Sequence, residues 1–185
     1  MRIIAGKYRS RVIKAVEGLT TRPTADRVKE AVFSSLGTYF QGGMMLDLFA
    51  GSGNMGLEAI SRGIEQVVFV DISDDAVKTI NGNTAILKVT SQCDVWKMDY
   101  MVALDKCGNA QYKFDLIYLD APYDFKNLPE ILLKIMKNEI LATNGIIVVE
   151  NRKKDDYLIE YENIEMYKEA NYGITKIRYF RRKDV

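Results

Sequence analysis

The sequence predicts a doubly wound α/β fold: a mostly parallel seven-stranded sheet, a C-terminal antiparallel hairpin, and a small N-terminal β-hairpin plus helix. Three observations carry this. From about Met44 onward, short apolar runs alternate with segments of helical periodicity. Runs such as Gln66–Val70 and Phe114–Leu119 are apolar almost throughout, as in strands buried on both faces. The end of the chain instead alternates polar and apolar residues around Asn171-Tyr172-Gly173, as a hairpin does.

The elements follow in order. Arg2–Ala5 and Arg11–Ala15 are β-prone stretches joined by Gly6-Lys7-Tyr8-Arg9-Ser10, a hairpin with a basic turn. Thr24 is the expected N-cap of a helix, with Asp26 in its first turn. Val28, Ala31, Val32 and Leu36 give that helix an apolar face, and Gly37 stops it. Residues 1–41 therefore read as an extension and 42–185 as the main domain. In the main domain, strands are expected at Met44–Leu48, Gln66–Val70, Cys93–Lys97, Phe114–Leu119, Gly145–Glu150, Ile164–Lys168 and Ile174–Arg181. Helices are expected at Asn54–Arg62, Asp74–Ile86, Tyr100–Lys106 and Leu128–Lys137.

Composition narrows the chemistry. At 185 residues and 48% hydrophobic, the chain has one ordinary domain's worth of core. No apolar run approaches the roughly 18 residues of a membrane span, and the N-terminus lacks a secretory signal, so a soluble cytoplasmic protein is expected. With no histidine and only Cys93 and Cys107, histidine triads and Cys/His zinc sites are excluded and no metal is expected. Net charge is +1, but residues 1–30 carry eight Lys or Arg against three acids, a net of +5. A basic leader suits a polyanion such as nucleic acid, although solvated charged faces are common.

Met44–Leu48 runs into Phe49-Ala50-Gly51-Ser52-Gly53-Asn54-Met55-Gly56, a strand–turn–helix with G-x-G-x-x-G spacing. With Asp71 twenty residues after Gly51, this spacing also fits a dinucleotide site. Asp47 argues against that reading, because a carboxylate facing the turn repels a pyrophosphate and welcomes a cation. Asp47, Asp71 and Asp99 each end a successive strand at one edge, a set suited to a cationic nucleoside. Asp71 would accept from the ribose hydroxyls and Asp99 from an adenine amino group. The segment Asp47-Leu48-Phe49-Ala50-Gly51-Ser52-Gly53 resembles the first motif of the class I S-adenosylmethionine-dependent methyltransferases, whose sheet is Rossmann-like.

Asp120-Ala121-Pro122-Tyr123 follows the fourth strand and resembles the (Asp/Asn)-Pro-Pro-(Tyr/Phe) motif of methyltransferases acting on exocyclic amino groups. Such an amine is planar and must pyramidalise to attack a methyl sulfonium, so positive charge grows on nitrogen. A carboxylate and a main-chain carbonyl accept its two N–H groups and stabilise that charge. An aromatic ring stacks on the base, worth roughly 1–3 kcal/mol. Ala121 replaces the usual first proline. It keeps the backbone carbonyl and gives up φ restriction.

The leader Arg2–Arg11, followed by Arg22-Pro23-Thr24-Ala25-Asp26-Arg27, is similar to that of the bacterial 16S ribosomal RNA guanine-N2 methyltransferases. The resemblance implies methyl transfer to N2 of a guanine in 16S rRNA, free or in the assembling small subunit. It implies Asp120, Ala121, Pro122 and Tyr123 at the base. It implies Asp47, Phe49, Gly51, Ser52, Gly53, Asp71, Ile72, Asp99 and Tyr100 around S-adenosylmethionine, with S-adenosylhomocysteine as product. Lys7, Arg9, Arg11, Arg22, Thr24 and Arg27 would meet RNA. A monomer is expected. Adenine-N6 methylation, a non-catalytic RNA-binding module and a nicotinamide-dependent oxidoreductase stay open as alternatives.

Overall fold

A computed structural model of the chain describes residues 1–17, 23–122, 127–154 and 163–183; the side chains of residues 23–25 are outside the description. The seven strands are β1 Met44–Leu48, β2 Gln66–Asp71, β3 Cys93–Lys97, β4 Phe114–Asp120, β5 Leu141–Arg152, β6 Ile164–Tyr172 and β7 Thr175–Arg182. They form one sheet in the order β3-β2-β1-β4-β5-β7-β6. β3 to β5 run parallel, and β7 enters antiparallel between β5 and β6. The fold is thus the doubly wound, mostly parallel sheet with an antiparallel C-terminal hairpin that the sequence predicts.

Helices α1 Pro23–Ser35, α2 Asn54–Ser61, α3 Asp74–Leu87, α4 Tyr100–Asn109 and α5 Leu128–Lys137 complete the described architecture. Alternation along the buried strands divides the core into two layers. One face gathers Leu57 of α2, Phe69, Ile80 of α3, Tyr118 and Tyr179. The other gathers Leu46, Val68, Leu104 of α4, Ile117 and Leu132 of α5.

The N-terminal extension belongs to the first layer. Ile3, Ile13, Val28, Val32 and Phe33 are buried in it. Full burial of a side chain such as Phe33 contributes about 2–3 kcal/mol.

One expectation holds with an addition, and two others are corrected. The N-terminal hairpin forms: Arg2 and Val12 bridge antiparallel, Ile3 N donates to Arg11 O at 2.9 Å, Ser10 N to Ile3 O at 2.9 Å and Ile13 N to Met1 O at 3.0 Å. Other amides of the arm reach side chains of the main domain. Ile4 and Ala5 donate to the Glu58 carboxylate at 2.8 and 3.0 Å, Tyr8 to Ser61 Oγ at 2.9 Å, and Lys14 to Asn83 Oδ1 at 2.8 Å. Helix α1 already includes Pro23, so Thr24 lies within it rather than at its cap. β5 begins at Leu141, four residues before Gly145, and its register with β4 shifts between Phe114 and Leu116.

Candidate active site at the carboxyl edge of the sheet

The chain order reverses between β1 and β4. From β1 it winds outward through β2 and β3, and it then returns to the other side of β1. At such a switch point the loops leaving the two central strands diverge and open a crevice at their carboxyl ends. Asp47 pairs in register with Tyr118, and Leu48 with Leu119. Asp120 therefore stands one residue beyond the β1–β4 ladder, at the mouth of that crevice.

The glycine turn is shaped by its neighbours. Phe49 has φ 68°, Gly51 55° and Gly53 76°, so the chain bends sharply between β1 and α2. A Cβ on Gly56 would lie 2.3 Å from the ring of Phe69, so this glycine lets α2 press against β2. A Cβ on Gly51 would meet nothing within 4 Å, and that side of the turn is open. Asp71 closes the turn from the next strand: its Oδ2 accepts from Gly51 N at 2.8 Å and its Oδ1 from Ser73 N at 2.9 Å.

Asp47 is 2% exposed, and its Oδ2 accepts from Gly56 N at 2.9 Å. Burial pushes its carboxyl up to about 7; the Gly56 hydrogen bond opposes this and the charge of Asp71 adds to it. Asp99 caps α4, its Oδ1 accepting from Met101 N at 2.8 Å. Tyr100 follows at the start of α4, its ring 5.2 Å from that of Phe49 and its hydroxyl 3.3 Å from Asn127 Nδ2. Ile72 is 69% exposed beside Asp71, an apolar surface at the same edge. Ser52 is nearly buried, and its carbonyl accepts from Asn83 Nδ2 at 3.0 Å.

On the β4 side, Asp120 is exposed. Desolvation by the surrounding protein, and then the charges of Glu150 and Asp47, raise its carboxyl well above the usual range. Water reaches the side chain and moderates that rise. Ala121 is half-buried and Pro122 exposed; Tyr123 lies outside the described residues. Two groups at this edge escaped the sequence reading. Glu150 lies near the end of β5 as the register partner of Asp120, and the Tyr118 hydroxyl donates a hydrogen bond to Glu150 Oε2. Burial raises Glu150, and that hydrogen bond opposes the rise. Glu150 follows an apolar strand just as Asp47, Asp71 and Asp120 do, and that signal was present in the sequence.

Among the described residues, none of Asp47, Asp71, Asp120 and Glu150 forms an ion pair. An edge holding four carboxyl groups without a cation, beside an open glycine turn, fits a positively charged ligand with polar hydrogens. It does not fit a pyrophosphate. Burial pushes the thiols of Cys93 and Cys107 up to about 12, which leaves both unreactive.

The arm's basic residues are spread along α2. Lys29 Nζ, fully buried, meets Asn54 Oδ1 at 2.8 Å, Arg2 O at 2.7 Å and Glu58 Oε2 at 3.1 Å. Asn54 begins α2 at the glycine turn, so Arg2 and α1 lie near the carboxyl edge. Lys7 N bonds Ser61 O at 2.8 Å, at the far end of α2. An eight-residue helix spans about 12 Å, so exposed Lys7 and Arg9 stand toward the amino edge, away from Asp120. A hollow of about 320 Å³ lined by Lys7, Tyr8, Gly63, Glu65 and Gln92 lies there too, remote from the carboxylates. Arg11 and Arg27 are exposed, while Arg22 and the Thr24 side chain are outside the described residues. The buried Lys29–Glu58–Arg62 cluster was missed, although Glu58 and Arg62 at i,i+4 were legible as a helical pair.

Comparison with known proteins gives the class first. The solved structure of yhhF from Escherichia coli, named as a candidate methyltransferase, has a TM-score of 0.84 and 28% identity over 100% of this chain and 99% of that one. The architecture is that of a class I methyltransferase. The chain belongs to the family described as Conserved hypothetical protein 95, whose model matches residues 1–181. Within reach are YlbH of Bacillus subtilis, named as a candidate rRNA methyltransferase, and the Ribosomal RNA small subunit methyltransferase D of Haemophilus influenzae. YlbH is 37% identical over 99% of this chain and 100% of its own length. The H. influenzae enzyme is 35% identical over 98% and 93%. No helix among the described residues is long and apolar enough to cross a membrane.

Proposed function

We propose that this protein methylates small-subunit ribosomal RNA, at N2 of a guanine in 16S rRNA, with S-adenosylmethionine as donor. The observation that carries the reading is Asp120 at the switch point, at an edge whose carboxyl groups lack a cation among the described residues. The named activities of the similar proteins support ribosomal RNA as substrate, and the leader motif supports guanine N2.

S-adenosylmethionine supplies an electrophilic methyl group on a sulfonium. Asp47 and the glycine turn would receive its charged amino-acid end, and Asp71, Ile72 and Asp99 its nucleoside. Asp120 accepts a hydrogen bond from the guanine amino group, and the Ala121 carbonyl is the candidate for the second. Together they turn the nitrogen lone pair toward the methyl carbon and stabilise the charge that grows on nitrogen. Pro122 stiffens the loop, and Tyr123 would stack on the base. The guanine must leave its stack to enter. Residues 1–41 would be an RNA-contacting extension, with Arg2, Arg11 and Arg27 on phosphates and Lys7 and Arg9 further along the strand; binding then weakens with salt.

The test is incubation with labelled S-adenosylmethionine and small subunits lacking their modifications, followed by nucleoside analysis. Label in N2-methylguanosine supports the assignment. Label in N6-methyladenosine replaces the base, and no transfer removes the function.

A further inference from the structure

Resting on that reading, we propose that Asp120 and Glu150 act as a carboxyl pair that holds one proton until a cation enters the cleft, with Glu150 as the positioning residue that keeps Asp120 protonated. Asp120 then donates that proton to water, and its carboxylate becomes the acceptor for the guanine amino group.

The geometry comes from the sheet. Asp120 and Glu150 are register partners on adjacent parallel strands. Strands lie about 4.8 Å apart and register partners point to the same face, so the two carboxyl groups leave the sheet side by side. Tyr118, two residues before Asp120 on that face, donates its hydroxyl to Glu150 Oε2. A donor favours the ionised form of its acceptor. Glu150 therefore carries the negative charge, and Asp120, which accepts no comparable bond from a described residue, takes the proton. Like charges this close do not both ionise without compensation.

Among the described residues, no cation pairs with either carboxyl. β1 contributes Asp47, in register with Tyr118, a further negative group. β7 contributes Ile177, the register partner of Glu150. Arg152 follows Glu150 by two residues on β5, and both carboxyls are nevertheless raised. In this proposal the positive charge that releases the proton arrives with the ligand. A sulfonium brings it and a thioether does not, so the pair distinguishes donor from product by one unit of charge.

The experiment is calorimetric titration of the whole protein at pH 7 in buffers of different ionisation enthalpy, which counts protons released on binding. S-adenosylmethionine should release more than S-adenosylhomocysteine, by about 0.5 proton or more. Glu150→Gln, in which Asp120 is already ionised, and Asp120→Asn should each abolish that difference. Protons contributed by Asp47 on meeting the ammonium common to both ligands cancel in the comparison. Equal release by the two ligands, or an unchanged difference in Glu150→Gln, overturns the pair. The wild type alone gives a second readout: an infrared band of a protonated carboxyl should persist with S-adenosylhomocysteine and vanish with S-adenosylmethionine, and a band that persists with both also overturns the pair. Failure of the wild type to bind S-adenosylmethionine at all would instead contradict the methyltransferase reading.

Discussion

The carboxylate of Asp71 holds the glycine turn from the neighbouring strand, its Oδ2 accepting from Gly51 N at 2.8 Å. Gly51 and Asp71 are the two residues that a dinucleotide fingerprint would also single out. Here the bond between them shows that the acid first organises the turn. Each carboxylate oxygen has a second lone pair available for a ribose hydroxyl.

Asp71→Ala leaves the Gly51 amide without this acceptor and removes the ribose contact. Affinity for S-adenosylmethionine should fall at least about tenfold, the equivalent of one lost charged hydrogen bond of roughly 1.5–3 kcal/mol. Calorimetry reads it directly. Unchanged affinity would take Asp71 out of the cofactor site.

Asp47→Asn separates stability from binding. The Asp47 carboxyl is raised to about 7 in the folded, ligand-free protein, against about 4 in an unfolded chain. Its stabilising contribution is complete below about pH 4 and is lost as pH rises through about 7. Asparagine keeps an acceptor for Gly56 N and never charges. The variant should therefore melt higher than wild type at pH 8, with the gap closing toward pH 5, and it should bind S-adenosylmethionine more weakly. Melting curves that stay parallel across this range would deny the buried charge.

Lys29→Met tests the junction of arm and main domain. The Lys29 and Glu58 side chains are fully buried, and Arg62 is left as Glu58's remaining partner. Removing one member of a buried ionic cluster costs about 3 kcal/mol, and here Asn54 Oδ1 and Arg2 O also lose their donor. Urea unfolding should show a loss of that order at unchanged slope. A loss below about 0.5 kcal/mol, typical of surface sites, would mean that the cluster contributes nothing to docking.

Asp120→Ala should cut turnover by about 100-fold or more, the scale of losing one group that stabilises developing charge. Affinity for S-adenosylhomocysteine should be nearly unchanged, because Asp120 stands beyond the glycine turn. Rapid single-turnover transfer separates the two effects. Wild-type turnover in the variant would leave the β4 loop without its chemical role.

The sheet was legible because its strands are buried on both faces and punctuated by glycine and aspartate, as Val67–Asp71 and Gly63 illustrate. The N-terminal hairpin was legible, but its docking onto the main domain was not. Its amides bond to Glu58 and Ser61, and no local pattern announces a partner more than fifty residues away. Thr24 reads as the cap of α1 in the sequence because Pro23 before it looks locally like a loop residue. At the site, acids ending strands were legible one at a time. The pairing of Asp120 with Glu150 was not, because strand order is a property of the sheet: β5 lies beside β4 only once the chain has wound through α5.

A crystal structure with S-adenosylmethionine bound tests the central claim most directly. The account predicts the amino-acid end against Asp47 and the glycine turn, the ribose on Asp71, and the methyl carbon turned toward residues 120–122. A donor seated at the amino edge, by Lys7 and Gln92, or with its methyl turned away from Asp120, would contradict it.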